Sequence, residues 1–176
     1  IEKKNYLLCV GRLEKQKAFD LAIEAFAGIV QKFPNLRLKI VGKGSLENSL
    51  RQKALDYHVE DKIDFEGFQN NIAPFYLYAK GTLLTSIYEG YPNVLIESIA
   101  MNTPVVSFDC PSGPSEIIQD GVNGYLAKHL DVKDLINKII LMLQNKFDYE
   151  DLKISIEKNE IRKIYNQYKN LINSYI

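Results

Sequence analysis

"NYLLCVGRLEKQKAFDLAIEAFAGIVQKFPNLRLKIVG" occupies residues 5–42. Its first seven residues are almost continuously apolar and close on Gly11, the pattern of a short buried strand. From residue 20 the period changes. In "DLAIEAFAGIVQKF", Leu21, Ala25, Ile29 and Val30 fall on one helical face, and the helix is expected to stop before Pro34. "LRLKIVG" then alternates apolar and polar residues as a second strand. Strand, helix, strand is the unit that a parallel pair requires, because parallel strands need a crossover between them.

The unit recurs along the chain. "SLENSLRQKALDY" (45–57) reads as a helix with Ser45 as its N-cap. A strand at 62–67, a short helix at 71–79 broken near Pro74, a strand at 81–86, a helix at 92–101 and a strand at 103–109 follow. Beyond the Pro- and Gly-rich "CPSGPS" come a strand-like "GYLA" and the helix "VKDLINKIILMLQN". This alternation predicts an α/β fold: a doubly wound, Rossmann-like parallel sheet with helices on both faces. Residues 1–150 are expected to form that domain. Residues 151–176 are expected to form a helical tail whose Ile154, Ile161, Ile164, Tyr168, Leu171 and Tyr175 pack on it or toward another domain.

Composition narrows the classes. A chain of 176 residues buries a sufficient core without disulfides or metal staples. With 22 basic and 22 acidic side chains it offers no extended nucleic-acid surface, so charge-driven recognition must be local. Cys9 and Cys110 lack the spacing of a zinc or redox site and read as reduced thiols of a cytoplasmic protein. No apolar run approaches the ~20 residues that span a bilayer. The chain opens without methionine and almost directly on a strand, so it is expected to be a piece of a longer polypeptide.

In open α/β sheets ligands bind at the carboxyl ends of the strands, which directs attention to the loops there. "GRLEKQK" sets Arg12 and Lys17 ahead of a helix, where cations and free amides together favour a diphosphate. "EGYPN" places Pro92 at the first position of a helix, leaving the amides of Asn93, Val94 and Leu95 to point outward. Glu89 precedes that helix start and Glu97 lies one turn in; carboxylates accept hydroxyl pairs of a sugar or ribose, while cations hold phosphates. The set therefore suits a nucleotide attached to a sugar, with both acids at its hydroxyl-bearing ends rather than beside the diphosphate. "GKGS" lacks the spacing of an ATP-binding phosphate loop. His58 and His129 are isolated, and Asp64 with Glu66 is the nearest approach to a paired-acid metal site, so no metal is expected.

Taken together, "VGRLEKQKAFDLAIEAF", "LRLKIVGKGSLENSLRQKA", "IDFEGF" and "YEGYPNVLIESIAMNTPVVSFDCPSGPSEIIQDGVNGYL" resemble the C-terminal, donor-binding domain of family 4 retaining glycosyltransferases of the GT-B fold. The match runs in order over residues 5–145. Its most specific element is the E-x7-E pair Glu89 and Glu97, combined with the arginine and lysine of the first loop. The resemblance implies that Arg12 and Lys17 hold the donor diphosphate, Glu89 meets the donor sugar at the reaction centre, and Glu97 binds the ribose hydroxyls. It further implies that the backbone of Gly90, Tyr91, Pro92, Asn93, Val94 and Leu95 contacts sugar and phosphate, and that Gly42, Gly44, Gly67, Phe68 and Gln69 face the base.

By the same resemblance the donor is a UDP-sugar used without metal or cofactor. The acceptor is a glycan or lipid-linked glycan held by a separate N-terminal domain, in surface polysaccharide synthesis at the inner face of the cytoplasmic membrane. The fragment alone is expected to bind donor but transfer little. Two departures stand out: Ala18 replaces a glycine usual after the lysine, and Ser112, Gly113, Pro114 and Ser115 replace a usual glycine pair. The form "SGPSEII" points toward hexose or N-acetylhexosamine donors. A sugar-nucleotide epimerase on the same fold, or a non-catalytic α/β interaction domain, are the alternative readings.

Overall fold

Tyr6–Val10 forms β1, and every one of its five residues is buried because helices cover both faces. In the computed structural model, which describes residues 2–157, it is followed by a 3-10 turn (Lys15–Lys17), α1 (Phe19–Ile29), β2 (Arg37–Val41), α2 (Glu47–Asp56) and β3 (Ile63–Gly67). The second half comprises α3 (Ala73–Tyr78), β4 (Gly81–Leu84), α4 (Asn93–Ala100), β5 (Val105–Phe108), α5 (Pro114–Ile117), β6 (Gly124–Ala127), α6 (Val132–Gln144) and α7 (Tyr149–Glu157). All neighbouring strands are parallel, in the order β3-β2-β1-β4-β5-β6. The expected doubly wound sheet is realised. Its order reverses between β1 and β4, and the crevice that opens at such a reversal is where ligands bind.

The period-2 alternation of strand side chains sorts the core into two layers. Leu7, Cys9, Leu38, Ile40, Leu83 and Val106 face α1, α2 and α6. Tyr6, Leu8, Val10 and Val41 face α3 and the start of α4, while Leu84 and Val105 meet α4, α5 and α7. On α1 the fully buried residues are Ala22, Ile23, Ala25, Phe26 and Ile29. The stripe is thus rotated from the sequence reading, with Leu21 and Val30 only flanking the core. Both cysteines are buried and unpaired.

Three local expectations change. Ser45 does not cap α2: its amide and hydroxyl donate to Glu14 Oε1 and Oε2 at 2.8 and 2.7 Å, a tertiary partner that outcompetes the local cap and lowers the Glu14 pKa. Pro92 sits at the N-cap of α4 rather than inside it, with Asn93 the first helical residue. At the tail, α7 starts at Tyr149; Leu152 is buried and Ser155 Oγ accepts from Asn123 Nδ2 at 2.9 Å, whereas Ile154 is exposed. Ile161, Ile164, Tyr168, Leu171 and Tyr175 lie outside the described residues.

Ala18 occupies the left-handed region, φ 43 and ψ 46, in the turn between Lys17 and α1. A Cβ costs about 1–2 kcal/mol there, partly offset by the extra unfolded-state entropy of glycine. Ala18→Gly is therefore expected to raise stability by about 0.5–1 kcal/mol, read as a higher urea midpoint at unchanged m-value.

Candidate functional site

The loop after β1 and the loop after β4 meet at the reversal point and are stitched to each other. Ile87 N donates to the Gln16 carbonyl at 2.8 Å, Gln16 Nε2 to the Tyr88 carbonyl at 3.0 Å, and Thr85 Oγ1 to the Lys17 carbonyl at 2.9 Å. These bonds fix the two backbones that carry the charged pair. Lys17 Nζ lies 2.5 Å from Glu89 Oε1, and both side chains are largely buried, 15% and 8% exposed. Ser86, fully buried, donates through Oγ to the same carboxylate oxygen at 2.5 Å.

Lys17 and Glu89 are thus in direct contact, where the sequence reading held the acid away from the phosphate-binding cation. The two positions are 72 residues apart in sequence, and only the β1–β4 pairing brings them together. Cys110, in the loop after β5, lies near this carboxylate: burial, and then the Glu89 charge, push its thiol up. Glu89 N donates to the Pro111 carbonyl at 3.4 Å. Gly113, with φ 95, packs on Pro92, where an added Cβ would come within 2.3 Å of Pro92 Cδ. The β5 loop therefore buttresses the β4 loop from behind.

On the other side of the β1 loop lies a cleft of about 380 Å³ walled by residues 10–12, residues 41–43, Phe68, Gln69 and Ile72. Arg12 faces this cleft while Lys17 faces Glu89, so the two cations serve opposite ends of one loop. Of the residues expected around a base, Gly42, Phe68 and Gln69 line the cleft, Phe68 as an exposed ring. Gly44 instead packs on the Leu13 backbone, and Gly67 accepts the Gly42 amide at 2.8 Å. Gln69 Nε2 is anchored on the Glu66 carbonyl at 2.8 Å.

Glu97 is exposed on α4, and its Oε2 accepts from the buried Tyr76 hydroxyl at 2.8 Å. Its neighbour Ser98 points inward and donates to Thr82 Oγ1 and the Thr103 carbonyl, which docks the helix on β4 and β5. The amides ahead of Glu97 differ from expectation: Asn93 N donates to the Tyr91 carbonyl and Leu95 N to the Pro92 carbonyl, each at 3.0 Å, so the tight turn uses two of the three. Val94 packs inward against the cluster holding Tyr76. Gly90 is exposed, with nothing within 4 Å of where a Cβ would stand, and Tyr91 is partly exposed beside it.

Asp64 and Glu66 are committed elsewhere. Arg37 grips Asp64 through Nε and Nη2 at 2.9 and 2.6 Å, which holds that carboxyl below the usual range, and Lys39 pairs with Glu66. Among the described residues no group of three or more His, Cys, Asp or Glu is placed to hold a metal ion, and no helix is long and apolar enough to cross a membrane.

Sequence reasoning missed Ser86, Tyr76 and Cys110: Tyr76 and Cys110 meet Glu97 and Glu89 only through the fold, and Ser86 reads as an ordinary buried strand-end serine. The placement of Ser86 three residues before Glu89 was the only local signal.

The family model described as "Glycosyl transferases group 1" matches residues 1–161. Among curated proteins, a poly(ribitol-phosphate) alpha-N-acetylglucosaminyltransferase of Staphylococcus aureus is 29% identical, over 94% of this chain and 34% of its own length. An N-acetylgalactosamine-N,N'-diacetylbacillosaminyl-diphospho-undecaprenol 4-alpha-N-acetylgalactosaminyltransferase of Campylobacter jejuni is 32% identical, over 93% of this chain and 40% of its own length. A solved structure of TarM from S. aureus, in complex with UDP, superposes with a TM-score of 0.86 at 27% identity, covering 98% of this chain and 36% of that one. The chain spans less than half the length of these relatives.

Proposed function

Because the chain belongs to the group 1 glycosyl transferases, with the Rossmann-like domain of the GT-B architecture, we propose that residues 1–150 are the donor-binding half of a retaining, family 4 hexosyl- or N-acetylhexosaminyltransferase. The observation that carries the reading is the junction at the strand reversal. Lys17 and Glu89 meet there, with Arg12 and an apolar-walled cleft on one side and Glu97 on the next helix. A UDP-sugar laid across it would set its base in the cleft near Phe68 and Gln69, its ribose hydroxyls at Glu97 and its diphosphate by Arg12 and Lys17. Its sugar would then reach Glu89.

The diphosphate carries two negative charges in the donor and gains a third as the sugar–oxygen bond breaks and its electron pair stays on the β-phosphate. Arg12 and Lys17 provide positive charge where that charge develops, the electrostatic role that dominates such transfers and one that needs no metal ion. When the sugar phosphate enters, Lys17 is poised to share its charge between Glu89 and the leaving group. Glu89, kept in place by Ser86, accepts from the sugar hydroxyls. Retention is favoured by the relatives, whose names describe alpha-linking transferases; alpha-linked UDP-sugars yield alpha products when configuration is kept. Their names also support a glycan or lipid-linked acceptor in cell-surface polymer synthesis, held by sequence outside this domain.

Calorimetry with UDP in EDTA tests the donor reading. Binding is expected without divalent metal, and ligand at 100 times Kd is expected to raise stability by about 2.7 kcal/mol. No heat and no change in melting temperature at millimolar UDP would sink it.

A further inference from the structure

Tyr76 is among the largest fully buried side chains, 1% exposed, yet its hydroxyl ends on a surface carboxylate, Glu97 Oε2. Both ends of that bond are fixed. Thr103 Oγ1 donates to the Tyr76 carbonyl at 2.6 Å, holding the end of α3, and Ser98 pins α4 through Thr82 and Thr103.

A glutamate on an exposed helix face samples several rotamers and loses that freedom when it engages a ligand. A hydrogen bond from an immobile ring removes the freedom beforehand, and a bond to a carboxylate is of the stronger, charge-assisted kind. The bond occupies one oxygen, and a carboxylate has acceptor capacity to spare. The ring also belongs to the apolar cluster of Val10 and Val41, with Ile72 packed against it, and these three residues wall the cleft. Tyr76 is therefore the piece of core that joins the cleft to the acid. Burial, reinforced by the Glu97 charge and the bond itself, pushes its hydroxyl up, so it remains a donor across the physiological range.

We propose that Tyr76 is a positioning residue that locks Glu97 for the ribose hydroxyls and so sets the discrimination against nucleotides that lack them. The proposal rests on the reading of Glu97 as the ribose-binding acid. Phenylalanine fills the same volume without the donor, which separates positioning from packing.

The test is the Kd of UDP and of 2′,3′-dideoxy-UDP, by calorimetry on the full-length protein, for wild type, Tyr76→Phe and Glu97→Ala. Wild type is expected to prefer UDP by about 10–100-fold, the range of hydrogen bonds to a charged group. Tyr76→Phe is expected to weaken UDP by roughly tenfold while leaving the dideoxy nucleotide within about twofold, and Glu97→Ala to erase the preference. If Glu97→Ala erases the preference and Tyr76→Phe keeps it, or weakens both ligands equally, Tyr76 is packing only and the proposal falls. If Glu97→Ala leaves the preference intact, the ribose reading of Glu97 fails and the proposal falls with it.

Discussion

Lys17→Ala in the full-length protein is expected to lower kcat/KM for transfer by about 10²–10³, or 2–4 kcal/mol of transition-state stabilisation. Two effects combine. On the proposed reading the variant removes a cation from the place where leaving-group charge would develop, and it strands Glu89, whose side chain is only 8% exposed, with Ser86 as its remaining close partner. The loops themselves should hold, since the Ile87 amide, the Gln16 side-chain amide and the Thr85 hydroxyl each donate across them to a main-chain carbonyl that the substitution leaves in place. A folded protein with a lowered melting temperature should therefore accompany the loss of activity, the drop reflecting the stranded Glu89 carboxylate. Undiminished kcat/KM would contradict the role given to Lys17.

The second large effect concerns the backbone. Gly42→Ala is expected to cost about 3–5 kcal/mol, roughly a fifth or more of the stability of an ordinary domain. Gly42 has φ 143, and an added Cβ would lie 1.8 Å from the Gly11 carbonyl oxygen. Retreat is blocked on both sides. Gly11 N donates to Val41 O and Leu13 N to Lys43 O, each at 3.0 Å, and Gly42 N donates to Gly67 O. Relief of the clash must break part of that zipper, which also forms the cleft wall. Urea titration reads the cost as a lower midpoint; a midpoint shift worth less than 1 kcal/mol would show that the loops separate freely.

The strands were legible because burial on both faces leaves a plain mark, as in Tyr6–Val10, where every residue is apolar and every one is buried. Helices were legible as periodicities but not in rotation: on α1 the neighbours from α2 and α6 decide that Ala22 and Phe26 go deepest, rather than Leu21. Lys17 and Glu89 were each visible as candidates, because the loops following parallel strands are where polar residues are free to serve a ligand. Their direct contact was not. It depends on β4 lying beside β1, which no local pattern encodes. Ser45 shows the reverse case, a residue with a good local signal captured by Glu14 from another loop. Tyr76 gave no signal at all, since an aromatic in an apolar helix reads as core, which most of it is.

The walls of the cleft all come from residues 10–72, whereas Glu89 and Glu97 belong to the second half of the sheet. Synthesis delivers the N-terminal part first, and long-range strand pairing is slow. During synthesis the pocket for one end of the ligand can be built before the residues for the other end have left the ribosome. Completion then waits on a single event, the docking of β4 against β1, which closes the Lys17–Glu89 contact across 72 residues. On the proposed reading a nucleotide seated across that seam would clasp two half-domains, so its largest effect on exchange of backbone amides with solvent should fall on the β1–β4 pair.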